Sequence, residues 1–242
     1  MGWTRILGRG PVKETQRAHA LDVIERNATL LAQLVGDLLD MSRIVAGKMD
    51  IERHPIDLGL VVREAVDAVA PNVEAKKLRL LTSLAPAAGE VLGDRRRLQQ
   101  VVTNLLLNAV KFTREGGRVE VRVLRHETSA RLSVRDTGHG IDPALLDKIF
   151  DPFEQGDSST TRSQQGLGLG LAIVRQIVEL HGGTIRAESE GEERGATFTV
   201  DLPVLAVRAA SDAPATASDR QRTGGGYRRA SRAHRRRPGG CP

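Results

Sequence analysis

Apolar residues return at steps of three and four over residues 13–47: Leu21, Ile24, Ala28, Leu31, Val35, Leu38 and Val45, interrupted only by Ser42. Such a heptad stripe, with charged and polar residues between, predicts one long helix packed in a coiled coil or bundle. Gly47 is its expected stop. Ahead of it, residues 3–7 read as the last turns of another helix, closed by Gly8, Gly10 and Pro11. A stub of that length cannot cover the stripe. The stripe therefore predicts a partner, either a second copy or the missing part of the first helix.

From residue 51 to 203 the pattern becomes mixed. A short strand ends near Pro55, and Asp57 caps a helix to about Lys76, with Leu60, Val61, Ala65 and Val69 on its apolar side. Residues 78–84 read as a strand, and Asp94 caps a helix to about Val110. Residues 119–124 and 130–136 alternate as paired strands across a polar turn at Glu127 and Thr128. Residues 143–149 form a short helix with Pro143 near its start, and 167–180 a further one. Residues 184–189 and 196–202 close the pattern as a hairpin. Helices set against a largely antiparallel sheet predict an α+β chain, a two-layer α/β sandwich preceded by the long bundle-forming helix.

The chain thus divides into three parts: a helical segment at 1–50, a globular domain at 51–204, and a tail at 205–242. The tail is rich in Ala, Ser, Gly, Arg and Pro, has lost all periodicity, and is expected to be disordered.

Composition changes this picture in one respect. The formal charge of +6 suggests nucleic acid or an anionic membrane as partner. Residues 205–242, however, carry nine Arg against Asp212 and Asp219, a net of +7, which leaves about −1 for residues 1–204. The folded part is nearly neutral and no nucleic-acid partner is expected. No apolar run reaches the ~20 residues needed to span a bilayer, and no signal-peptide pattern opens the chain. The lone cysteine, Cys241, excludes an internal disulfide and points to a reducing cytoplasm.

The candidate chemistry lies in four short motifs, set one after another within about seventy residues. The first is Asn104-Leu-Leu-Leu-Asn108-Ala-Val-Lys111-Phe112-Thr113. Its two Asn are four apart and share a helix face. Their amide oxygens suit magnesium, a hard cation that shares its site with substrate phosphates; helix capping or loop hydrogen bonds are the plainer use. Lys111 adds a cation for phosphate and Phe112 a flat face for a purine, or they are a surface and a core residue.

The second motif, Asp136-Thr137-Gly138-His139-Gly140-Ile141, ends a strand. There a carboxylate can accept from an adenine amino group while glycine backbone approaches the base; an ordinary turn is the alternative. Phe150-Asp-Pro-Phe153 comes next, then Gly166-Leu-Gly168-Leu-Gly170-Leu171 ahead of a helix whose N–H groups favour phosphate. No Gly-Lys-Ser/Thr comes after it, so this is not the Walker sequence, and no strand precedes it directly, as a dinucleotide unit requires. The polar stretch 154–165 between them is a lid or a plain loop. Three of the four Phe fall inside these motifs.

Together these residues resemble the catalytic ATP-binding domain of sensor histidine kinases, within the wider group that includes gyrase, mismatch-repair ATPases and the large heat-shock chaperone. The resemblance covers about residues 13–203 and implies a Bergerat-type ATP fold. It implies that Asn108 ligates magnesium and Asn104 supports the metal or its water. Lys111 and Arg162 would contact phosphates, Asp136 would read adenine between Gly138 and Gly140, and Phe112 would pack on the base. Gly166, Gly168 and Gly170 would form lid hinge and phosphate turn, and Thr197 would support Asp136. Hydrolytic members carry Glu where this chain has Asn104, and an amide cannot take a proton from water. The resemblance thus implies transfer of the ATP γ-phosphoryl group to a protein nucleophile.

The 13–47 helix resembles the second helix of a dimerisation and phosphoacceptor hairpin, which implies a homodimer or heterodimer through that helix and a response-regulator receiver domain as partner. The hairpin's first helix would carry a His-Glu-Leu-Arg-Thr-Pro-Leu box. None of His19, His54, His126, His139, His181 and His234 stands before Glu-Leu-Arg. Residues 2–7 resemble the segment just C-terminal to the box, so Met1 is expected just downstream of the acceptor, and 1–50 is a truncated hairpin. The Arg-rich, Lys-free tail has the composition of GC-rich coding sequence read out of frame.

Overall fold

The computed structural model of the chain describes residues 13–85, 90–154 and 167–205. Its elements are α1 (Glu14–Val45), β1 (His54–Asp57), α2 (Leu58–Ala75), β2 (Arg79–Leu84), β3 (Glu90–Gly93), α3 (Arg95–Phe112), β4 (Arg118–His126), β5 (Ser129–Asp136), α4 (Gly170–Leu180), β6 (Thr184–Glu188) and β7 (Thr197–Pro203).

The alternation in β4 and β5 does what a half-buried sheet requires. Val119, Val121 and Val123 point inward beside Ala130, Leu132 and Val134, while Arg118, Glu120 and Arg122 face out. The five-stranded sheet has the order β2-β4-β5-β7-β6. Only β2 and β4 run parallel; the other pairs are antiparallel. Helices α2, α3 and α4 pack on one face, each through a buried apolar stripe such as Leu98, Val101, Val102, Leu105, Leu106 and Ala109 of α3. The result is the expected two-layer α+β sandwich.

The Asp57 and Asp94 caps form as the sequence predicts. Asp57 accepts from the N–H groups of Gly59 and Leu60, and Asp94 from those of Arg96 and Arg97.

Three elements differ from expectation. The helix expected at 167–180 begins only at Gly170, because Gly168 sits at φ +71° and turns the backbone just before it. The helix expected at 143–149 shrinks to one 3-10 turn, Pro143–Leu145, continued by single hydrogen-bonded turns. A four-residue strand, β3, pairs antiparallel with β1 and was not anticipated.

Helix α1 carries two stripes. The heptad stripe lies open: Leu21, Leu31, Val35, Leu38 and Val45 are each at least half exposed. Leu34, Asp37, Met41 and Ile44 form a second, half-buried stripe, roughly 110° round the helix at 100° per residue. Met41 and Ile44 pack against the core of the globular part, and α1 touches α4. This stripe was missed because one of its members is an aspartate.

Candidate ATP site

The site begins with helix α3. Its buried stripe faces the sheet, which leaves Asn104, Asn108 and Lys111 half-buried along one flank and Phe112 exposed at the end. Burial lowers the Lys111 pKa. Its ammonium lies 4.8 Å from the centre of the Phe112 ring, within range of a cation–π contact. The Asn104 amide leans toward the start of α4, with Nδ2 3.5 Å from the Gly170 carbonyl.

Strand β5 delivers Asp136 to the same end of the molecule. The residue is buried, and its Oδ1 accepts the Gly138 N–H at 2.8 Å. Burial pushes the carboxyl pKa up, against the opposing backbone hydrogen bonds from Gly138 and Ala196. The loop then crosses the end of α3: the His139 N–H donates to the Phe112 carbonyl at 3.2 Å. Gly138 is there for space, since a Cβ would collide with that carbonyl. Gly140, at φ +72°, is pressed against the Gly191 carbonyl. The two motifs that sequence placed 28 positions apart (Asn108 to Asp136) are thus stitched together.

Gly168 and Gly170 open α4. The Gly168 carbonyl accepts the Phe153 N–H at 3.1 Å, which ties the third motif to the fourth. Phe150 is buried edge-on against Phe198 at 6.4 Å and 88°. No side chain caps the first turn of α4 among the described residues. Thr197 starts β7 opposite Arg135, one position from Asp136, with no hydrogen bond to Asp136 among the described residues. Arg162 and Gly166 lie outside the described residues.

Sequence reading missed the support beneath Asp136. Ser189, just past β6, accepts the Ile141 N–H at 3.0 Å and donates to the Gly195 carbonyl at 2.7 Å. Arg114 reaches Glu193 in the same loop. The glycines at 191 and 195 were the available signal, both at positive φ. A groove of about 580 Å³ between β6 and residues 146–150 is lined by Phe150 but by none of the other groups named above.

The residues present fit a nucleotide. A buried carboxylate is held in place by backbone N–H groups, glycine backbone lines the approach, and amides, a lysine and an uncapped helix start lie on the other side.

Residues 93–206 match the family of histidine kinase-, DNA gyrase B- and HSP90-like ATPases. The circadian input-output histidine kinase CikA of Thermosynechococcus vestitus is 36% identical over 198 residues, 81% of this chain and 27% of that protein. Full-length ShkA, solved in complex with AMPPNP, superposes with a TM-score of 0.67 at 30% identity, over 82% of this chain and 41% of ShkA. The mycobacterial sensor histidine kinase MprB gives a TM-score of 0.54 at 31% identity, over 63% of this chain and 97% of that structure. The chain spans 14% to 27% of the length of the first curated relatives it matches. The chain belongs to the sensor histidine kinases of two-component signalling, and carries their ATP-binding catalytic domain.

Proposed function

We propose that this chain binds ATP with magnesium and transfers the γ-phosphoryl group to a histidine that it does not itself carry in a recognisable box. The observation that carries this reading is the junction of Phe112 and His139, which sets the Asn104–Lys111 flank beside the Asp136 loop. Asp136 accepts from the adenine amino group, and Phe112 lies on the base. Lys111 and Arg162 hold phosphate oxygens, Gly166, Gly168 and Gly170 shape the phosphate turn and hinge, and Thr197 backs Asp136.

Asn108, with Asn104 behind it, would hold magnesium, which would supply positive charge to neutralise the phosphates. In the transfer the bond from the γ-phosphorus to the ADP oxygen breaks and one to an imidazole nitrogen forms. Asn104 cannot act as a base for water, so hydrolysis is disfavoured.

In this reading residues 1–50 belong to a dimerisation hairpin, 51–204 to the catalytic domain and 205–242 to a tail. The open stripe of α1 supports a homodimer or heterodimer, and a receiver domain takes the phosphate next. The cytoplasm suits the lone cysteine. No described helix is long and apolar enough to cross a membrane.

Labelled ATP, supplied with and without an intact phosphoacceptor hairpin, tests the reading. Label is expected on the added hairpin and lost with Asn108→Ala. Absence of label with retained ATP binding would favour the alternative, a non-catalytic module that pairs with a full-length kinase through α1.

A further inference from the structure

The carbonyls of a helix's last turn run out of partners along its own ladder, and the fate of those at the end of α3 singles out a residue outside the motifs. The Ala109 carbonyl accepts from the N–H and hydroxyl of Thr113, at 3.0 and 2.6 Å. The Phe112 carbonyl accepts from His139. The remaining two, of Val110 and Lys111, both accept from Nζ of Lys76, at 2.8 and 2.7 Å.

Lys76 reaches this point because its own backbone is fixed. It is the C-cap of α2. Lys77 comes next at φ +51°, with its N–H on the Glu74 carbonyl and the Leu78 N–H on that of Val73, at 2.9 and 3.0 Å. That is the Schellman pattern, completed by burial of Val73 and Leu78. The Lys76 carbonyl in turn accepts the Gly116 N–H at 3.3 Å. A half-buried lysine held at both ends is unlike a solvated surface residue.

We propose that Lys76 is a positioning residue for the nucleotide site: its ammonium holds the last turn of α3 so that Lys111 and Phe112 are presented together toward the Asp136 loop. This rests on the pocket reading above. A cation at a helix C-terminus is favoured by the helix dipole as well as by the two carbonyls. Without it the helix loses two of its four terminal partners, and the turn that frays is the one bearing Lys111.

The test uses the full chain with Lys76→Met, which keeps the apolar stem, and with Lys76→Arg. Amide exchange at residues 109–113 reports the cap, and calorimetry with Mg-ATP and with adenosine reports the site. Lys76→Met is expected to speed exchange at 109–113 and to weaken Mg-ATP about tenfold relative to adenosine. Lys76→Arg is expected to restore both. Unchanged exchange in Lys76→Met would overturn the cap. Faster exchange with an unchanged ATP-to-adenosine ratio would overturn the positioning role and leave a structural cap. A wild-type chain that binds no Mg-ATP would sink the pocket reading and the positioning role together. If Lys76→Met does not fold, Lys76→Gln is measured in its place.

Discussion

Asp40 accepts hydrogen bonds from Arg97 and from Gln100, each at 2.8 Å, and so bolts helix α1 to the helix that carries Asn104 and Asn108. The Asp40 and Arg97 side chains are only 13% and 19% exposed, and Arg97 also reaches Gln100 at 2.8 Å. Nearby, burial and the charge of Asp40 push the Asp37 pKa up. Arg97→Ala leaves the half-buried carboxylate with one donor, and the docking of α1 is expected to weaken by about 1–3 kcal/mol. Amide exchange over residues 34–45, compared with the α2 core, measures it. A loss shared equally by both regions would argue against a local bolt.

Asp136 is placed for its ligand at a cost to the empty fold. Its carboxyl pKa is raised by burial, so its contribution to stability is present below the ordinary carboxylate value of 3.8 and is lost as pH rises through the raised value. At neutral pH the buried charge opposes folding. Asp136→Asn is therefore expected to keep or raise thermal stability at pH 7 while weakening ATP by at least about tenfold. Thermal midpoints with and without nucleotide separate the two effects.

His181 titrates in the other sense. It caps α4, with Nδ1 donating to the Ile177 carbonyl at 2.7 Å and Nε2 accepting the Asp94 N–H at 2.9 Å. Burial lowers its pKa below the ordinary 6.5, aided by Arg53 and opposed by the Ile177 hydrogen bond and by Asp94. Its contribution is present above the ordinary value and is lost as pH falls through the lowered one. Protonation removes the acceptor for Asp94. Urea midpoints between roughly pH 7 and 5 are expected to fall more steeply for the wild type than for His181→Gln. Parallel slopes would clear His181 of this role.

Lys77 adopts the left-handed backbone at the end of α2 that glycine fills most readily. Lys77→Gly removes that strain and also the exposed pair with Glu115 at 2.7 Å. Because exposed pairs contribute little, a net gain of roughly 0.5 kcal/mol is expected from thermal unfolding.

What the sequence disclosed depended on how local the cause was. Asp57 and Asp94 act within three residues of themselves, and both caps were legible. The alternation of β4 and β5 was legible because one face is buried throughout. Strand β3 was not, since Glu-Val-Leu-Gly has one deeply buried side chain, Val91, and its partner lies over thirty positions upstream. The site obeyed the same rule. Asn104, Asn108, Asp136 and the glycines stand in compact motifs, whereas Lys76 and Ser189 act on carbonyls and N–H groups far along the chain. No spacing announces a lysine that caps a helix 35 positions away.

The two stripes of α1 have a mechanical consequence. At 32 residues the helix is a rod about 48 Å long, gripped by the catalytic domain along Met41 and Ile44 and open along Leu31, Val35 and Leu38. A rigid axle cannot rotate under a load on one side and stand still on the other. Whatever seats against Leu31, Val35 and Leu38 therefore bears on the same rod that Asp40 joins to Arg97 at the start of α3.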